Sequence, residues 1–304
     1  MIIDIFYLLI GTTMLYFGAD WIVRSSVSIA KKSNIAPMII GLTIVAFGTS
    51  LPELIVSITA ALNDSSSLSV GNAIGSNIAN IGLVLGLSSL IFPISCIYIK
   101  IKKDLWINII ITIIFVLFAF DGLISRFEGM IMFLCLIYYV LLCISEEKDD
   151  EEIPDNIISN NRIILYLLGG IFVLAYGADL FVDGAISLAK KLGISEAVVG
   201  VSIVAFGTSL PELATSVVAA FKKESDISLG NILGSNIFNI LCVLGISSMI
   251  SQLDSPIQMM NREVYFLFIL GFLLIVISKM NQPISRLSSA VLLIIYLYFI
   301  YLLF

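Results

Sequence analysis

The sequence predicts an all-α integral membrane protein with ten transmembrane helices, arranged as two inverted-topology five-helix repeats in which helices 2 and 7 are broken. Three observations carry that reading. Of the 304 residues, 59% are hydrophobic and only 12% charged, with a mean hydropathy of +1.09, whereas about a quarter of a soluble domain is charged. Ten apolar runs are each long enough to cross about 30 Å of hydrocarbon at about 1.5 Å per residue. The first half of the chain also recurs in the second.

The runs cover residues 3–23, 37–62, 68–93, 104–122 and 128–145, then 163–182, 195–221, 227–251, 263–279 and 286–303. The first begins MIIDIF, with no basic leader and no small-residue cleavage site, so it is expected to stay in the mature protein. The second and seventh carry an identical polar motif, the third and eighth carry another, and the rest are read on length and apolarity alone. Between the fifth and sixth runs lies the strongly polar stretch EEKDDEEIPDNIISNNR. It divides the chain into an N-terminal repeat (1–145), an acidic linker (146–162) and a C-terminal repeat (163–304).

Tyr7 to Ser95 aligns without a gap onto Tyr166 to Asp254 at a constant offset of 159, and 45 of the 89 positions are identical. Identity at that level marks an internal duplication. Each half holds an odd number of spans, so the second copy enters the membrane from the opposite side. Transporters built on inverted repeats place their sites near the midplane, where the halves meet. Twelve Lys and Arg residues fall in loops on one side, against Arg126, Lys190, Lys191 and Arg262 on the other. The positive-inside rule then puts both termini outside and the linker in the cytoplasm.

Identity peaks at IVAFGTSLPEL, residues 44–54 and again 203–213. Pro52 and Pro211 each remove an amide donor and crowd the carbonyl four residues back, at Gly48 and Gly207, so each helix is expected to kink or break there. Carbonyls freed inside a membrane need a partner, and a bound cation is one. Glu53 and Glu212 follow the two prolines and lie well inside their spans. A charge at that depth costs on the order of 3 kcal/mol or more and usually faces a water-filled site. A protonated Glu hydrogen-bonded between helices is the alternative. Two carboxylates meeting at the centre would neutralise one divalent cation.

The second block is GNAIGSNIAN at 71–80 and GNILGSNIFN at 230–239. Asn72, Ser76 and Asn80 are spaced by four and share one helix face, as do Asn231, Ser235 and Asn239. Their oxygens suit hard cations such as Ca²⁺ and Na⁺. Gly71 and Gly75, and Gly230 and Gly234, form small-xxx-small patterns that let helices approach closely. A third echo, YFGAD at 16–20 and AYGAD at 175–179, places Asp20 and Asp179 near span ends, where they are read as capping or gating residues rather than ligands.

Composition excludes several classes. The chain has no histidine, so zinc-protease and Ser–His hydrolase chemistry are out. The net charge of −6 is local, because six of the 22 acids fall within 146–152, and a nucleic-acid partner would need a basic face. Cys96, Cys135, Cys143 and Cys242 show no paired spacing and read as packed side chains.

The duplicated GTSLPE and GNxxGSN blocks resemble the α-repeats of the cation/Ca²⁺ exchanger superfamily, the prokaryotic Na⁺/Ca²⁺ exchangers above all. The resemblance covers nearly the whole chain. It implies a diamond of cation sites made by Glu53 and Glu212, the hydroxyls or carbonyls of Thr49, Ser50, Thr208 and Ser209, the carbonyls of Ala46 and Ala205, and the polar groups of Ser76, Ser235, Asn80 and Asn239. It implies that the first and sixth helices slide across the other eight, and that the protein sits in a prokaryotic cytoplasmic membrane. The K⁺-dependent branch carries Asp where this chain has Asn239, which argues against a K⁺ requirement. The linker is too short for a regulatory Ca²⁺-sensing domain.

The expected function is secondary antiport of Na⁺ against Ca²⁺, not enzyme catalysis. The ions are the expected partners besides the lipid bilayer; no cofactor and no obligate protein partner is expected. Mutual exclusion at shared ligands would couple the fluxes. A third bound Na⁺ would carry net charge, worth about 2.3 kcal/mol per 100 mV. An H⁺/Ca²⁺ exchanger would use the same glutamates, and a passive channel would need no counter-ion gradient.

Overall fold

The computed structural model describes residues 1–63, 65–145, 159–192, 205–280 and 283–303, with the side chains of residues 160, 205, 206 and 257–261 excepted. It is helical almost throughout. In chain order the helices are α1 (Ile2–Ser33), α2 (Pro37–Thr49), α3 (Leu51–Leu62), α4 (Ser66–Ile91), α5 (Tyr98–Phe118), α6 (Arg126–Ser145), α7 (Asn160–Lys191), α8 (Ala205–Thr208), α9 (Leu210–Phe221), α10 (Ser225–Ile250), α11 (Ile257–Ser278) and α12 (Arg286–Tyr301).

Each expected apolar run holds a helix or helix pair. The linker residues 146–158 and the start of the seventh run, 195–204, lie outside the described residues. Among the described residues, α1, α4, α6, α7 and α10 are long and apolar enough to cross a membrane, and the bent pair α2 and α3 makes a sixth such unit. The expected ends differ most for α1 and α7, which run to 32 residues each, or about 48 Å at about 1.5 Å per residue. Apolarity stops near residue 23, but the following SSVSIAKK contains no breaker. Helix hydrogen bonding therefore continues until Asn34 takes a left-handed conformation (φ 53°) and closes it.

α1 and α7 cross in antiparallel fashion at glycine contacts. A Cβ on Gly11 would stand 2.8 Å from the Gly177 carbonyl oxygen, and one on Gly18 would stand 2.9 Å from that of Gly170. Moving both members of the first contact by 159 residues gives the second. A looser echo lies in the short strands: β1 (Leu123–Ile124) pairs with β2 (Leu253–Asp254), and near the shifted positions Ser95 bridges Pro283, one residue out of that register. Asn77 donates to the backbone carbonyl of its own counterpart, Asn236, at 3.0 Å, so the local axis relating the halves passes between them.

The interior divides into two apolar clusters. The larger gathers side chains of α2, α4, α5, α6, α10, α11 and α12. The smaller joins α1 and α7 to α9, and takes in Ile40 and Val45 of α2 and Ile227 of α10. Cys96, Cys143 and Cys242 are buried and form no disulfide among the described residues, in keeping with packed side chains.

The α1–α7 contact gives a direct test. Gly18→Ala drives a Cβ to 2.7 Å from the Leu174 nitrogen, whereas Gly169→Ala meets nothing nearer than 3.8 Å. Gly18→Ala is expected to cost about 1–3 kcal/mol through overpacking and to lower Tm in detergent; Gly169→Ala should leave Tm unchanged.

Candidate cation site

The two proline motifs fold alike. α2 and α3 meet at Ser50 with a bend of 44°, where the Ser50 backbone turns to φ −84°, ψ 3°. Between α8 and α9, Ser209 takes φ −87°, ψ 3°. These are bridge-region values, common where a chain turns sharply at a site. Pro52 and Pro211 then sit in the first turn of a new helix, where a missing N–H costs nothing. Each break places a glutamate in that same first turn. The helix dipole there favours negative charge, by up to about 2 kcal/mol in partly buried settings.

Glu53 and Glu212 are both fully buried, at 0% exposure, and lie close enough for their charges to act on each other. Among the described residues no Lys or Arg pairs with either. Neither Glu53 oxygen has a hydrogen-bond partner, nor has Oε2 of Glu212. Burying an uncompensated carboxylate costs on the order of several kcal/mol. Such a pair needs protons or a cation.

Neutral oxygens surround the pair. Ser50, at the first break, donates to Glu212 Oε1 at 3.4 Å, so the first repeat reaches into the second. Thr49 donates to Asn231 Oδ1 at 3.0 Å and lies 3.3 Å from the Ser235 hydroxyl. Thr49, Ser50 and Ser235 flank Glu212, and Ser76 lies beside Glu53 without closing a hydrogen bond. Ser209 Oγ is likewise buried and unbonded. Thr208 ends α8 and lines a cavity next to Ser76. Asn80 and Asn239 each open a stretch of wide π-type turns inside α4 and α10, a distortion common at functional sites. Asn80 donates to Asn236 Oδ1 at 3.1 Å and keeps its own oxygen free; Asn239 is fully buried with both amide atoms free. The Ala46 carbonyl already accepts the Ser50 amide at 3.0 Å and the Thr49 hydroxyl at 3.3 Å, so it must yield one bond before it could bind an ion. Ala205 opens α8, and its side chain is outside the described set.

Two groups of residues that the motifs contained prove to be supports. Asn72 donates to the Glu53 carbonyl at 3.2 Å and to the Ser57 hydroxyl at 3.0 Å, and its counterpart Asn231 donates to Ser216 at 3.2 Å. These bonds tie α4 to α3 and α10 to α9. Asn77 and Asn236 join the halves; their signal was the motif itself, where GSN places a second Asn beside each Ser. The glycine expectation holds on one side only. A Cβ on Gly230 would stand 2.6 Å from the Met38 carbonyl, and Gly234 packs against Leu42 and Ala46, but Gly75 has open space within 4 Å. It faces the cavity instead. Asp20 is an anchor, bonded to Arg24 at 2.8 Å and to Lys222, while Asp179 is exposed; neither belongs to the cluster.

Among the described residues no three acidic or cysteine side chains converge. A cation held here would have two carboxylates and otherwise neutral oxygens, a set matched to hard ions. Apolar helices packed around such a buried oxygen cluster define an integral membrane protein of the ion-transporting class. Comparison with known proteins gives the family: the one described as sodium/calcium exchanger protein matches residues 3–145 and 162–304, and the chain belongs to it. An uncharacterized membrane protein of Methanocaldococcus jannaschii is 39% identical, over 93% of this chain and 92% of its own. A sodium/calcium exchanger of Methanosarcina acetivorans is 31% identical over 99% of both. The solved structure of the sodium-calcium exchanger NCX_Mj, soaked with zero Na⁺ and Ca²⁺, superposes with a TM-score of 0.88 at 36% identity, covering 100% of this chain and 99% of that one.

The supports can be tested apart from transport. Asn72→Ala removes the bonds to the Ser57 hydroxyl and the Glu53 carbonyl, and Asn231→Ala removes those to Ser216 and from Thr49. Each is expected to cost about 1–3 kcal/mol, read as a fall in Tm in detergent without any ion added.

Proposed function

We infer that this chain works as a Na⁺/Ca²⁺ antiporter through the oxygen cluster between its two helix breaks. It is a transporter and not an enzyme, and Na⁺ and Ca²⁺ are its substrates. The observation that carries the site assignment is the pair of fully buried, unpaired glutamates, each at the start of a proline-broken helix. Glu53 and Glu212 bind either one Ca²⁺, whose charge they balance, or a set of Na⁺ ions. Thr49, Ser50, Ser76 and Asn80, with Thr208, Ser209, Ser235 and Asn239, complete the shells through hydroxyl, amide or carbonyl oxygens. The carbonyls of Ala46 and Ala205 join them once the local hydrogen bonds rearrange. No resident cofactor is needed, because the step is an exchange of ligands around an ion.

The ten helical runs then form two inverted five-helix halves, 1–145 and 163–304, joined by the linker 146–162, with helices 2 and 7 broken at Ser50 and Ser209. Both termini lie outside the cytoplasmic membrane. What supports this is the recurrence of contacts at a shift of 159 residues and the antiparallel run of α1 against α7. α1 and α7 pack closely on each other along their glycines, and they are the pair that slides across the other helices to open the site to each side in turn.

In proteoliposomes, Ca²⁺ uptake is expected to follow an imposed outward Na⁺ gradient and not a pH gradient. Glu53→Gln and Glu212→Gln should each lower Na⁺-driven uptake to background. Uptake persisting in both variants would remove the site assignment; uptake driven by pH alone would move the coupling to protons.

A further inference from the structure

A cavity of about 180 Å³ beside the cluster has an acid in its lining. Gly75, Ser76 and Thr208 border it together with Tyr296 and Phe299 of α12, Leu303 near the end of the chain, and Glu263 of α11. Glu263 is 6% exposed. Its Oε1 takes both the Nε and Nη2 hydrogen bonds of Arg262, at 3.2 and 2.7 Å, and Oε2 has no partner. Arg262 is itself held by the Leu302 carbonyl at 2.8 Å. A buried carboxylate oxygen left unbonded is costly, and a cation in the cavity would satisfy it. At about 30 Å³ per water, the space holds about six waters, room for one partly hydrated cation.

The shift of 159 that relates the halves carries Glu263 onto Asp104 and Arg262 onto Lys103. Asp104 is 5% exposed, but its surroundings are closed: Tyr139 donates to its Oδ1 at 3.1 Å, and Asn108 donates to its backbone carbonyl at 3.0 Å and to that of Leu233 at 3.3 Å. The shift carries Tyr139 onto Tyr298, which is 55% exposed. Two acids at equivalent places thus differ in state. One is capped by a tyrosine in a packed half, and the other keeps an oxygen free at an open cavity. The glycines agree, since Gly234 packs on α2 while its counterpart Gly75 faces that cavity.

We propose that Glu263 and Asp104 are access-path carboxylates, one for each side of the membrane, each holding an incoming cation on its way to Glu53 and Glu212 when its own cavity is open. Glu263 does so in the conformation described here, and Asp104 in the opposite one after Tyr139 swings away. The inference rests on the antiport reading above and adds residues that it does not use. A carboxylate at a low-dielectric mouth raises the local cation concentration and the rate of entry, whereas the saturated rate is set by the inner site.

The test is sided kinetics in oriented vesicles, varying Ca²⁺ on one face at a time. Glu263→Gln is expected to raise the KM for Ca²⁺ about 3- to 10-fold on the face bearing the C-terminus, with KM on the other face unchanged and the saturated rate kept within about two-fold. Asp104→Asn should show the reverse sidedness, and Glu263→Asp should restore most of the affinity. Arg262→Gln removes the same ion pair but keeps the carboxylate, so it is expected to leave that KM unchanged or lower it. A rise in Arg262→Gln equal to that in Glu263→Gln would assign the effect to the lost pair and overturn the proposal. So would equal changes on both faces, or no change in KM. If Glu53→Gln still exchanges ions, the antiport site is wrong; if only the sidedness fails, the access path alone is wrong.

Discussion

Two carboxylates buried without a cationic partner dictate most of what surrounds them. Glu53 and Glu212 are at 0% exposure in the interior of an apolar bundle, where an ionised group is tolerated only if its environment offsets desolvation. The chain supplies what offset it can from its own backbone. A proline break just before each glutamate turns mid-helix residues into a helix N-terminus, whose dipole favours the negative charge. The break also swings the Thr-Ser pair toward the opposite repeat, so that Ser50 reaches Glu212. These partial remedies leave three of four carboxylate oxygens unbonded, a deficit that the proposed ion would fill.

The duplication explains how one short motif builds such a centre. A single GTSLPE copy gives one glutamate and half a shell, and the second copy approaching across a local axis at Asn77 and Asn236 completes it. Perfect symmetry would nonetheless make a poor carrier, since both sides would be open or closed together. The structure departs from it in a consistent direction: Gly234 is packed where Gly75 is open, and Asp104 is capped where Glu263 is not. The same sequence in two environments gives two states, and exchanging those environments gives the second conformation without a new fold.

How far the sequence reveals this depends on the kind of interaction. The apolar helices, the breaks at Pro52 and Pro211 and the burial of the glutamates were legible, because each follows from local chemistry: apolarity, a missing N–H, a charge in a long apolar run. The Asn and Ser face of α4 and α10 was legible as a face, but the division of labour on it was not. Asn72 and Asn231 anchor neighbouring helices while Asn239 stays free, and that depends on which helix lies opposite. Glu263 and Asp104 escaped notice because each opens its span, where an acid reads as interfacial, and because their likeness is chemical (Lys-Asp against Arg-Glu) rather than identical. The ends of α1 and α7 were misjudged because apolarity marks where hydrocarbon stops, not where a helix stops.

The same electrostatics that shape the site also account for obligatory exchange. On the proposed mechanism, the cluster would have to be sealed from water as it passes from access to one side to access to the other. With both glutamates ionised and no ion bound, sealing would strand two charges at low dielectric, at a cost on the order of several kcal/mol each. Each several-kcal/mol step slows the passage by orders of magnitude. One Ca²⁺ or a set of Na⁺ ions removes that cost, because either load neutralises the pair and bonds the free oxygens. On the proposed site, loaded carriers would cross while empty ones wait, and Ca²⁺ and Na⁺, sharing the same two carboxylates, would not load together. A carrier that delivers one ion would return only with an ion bound, so coupling would require no separate gate beyond the unpaired charges themselves.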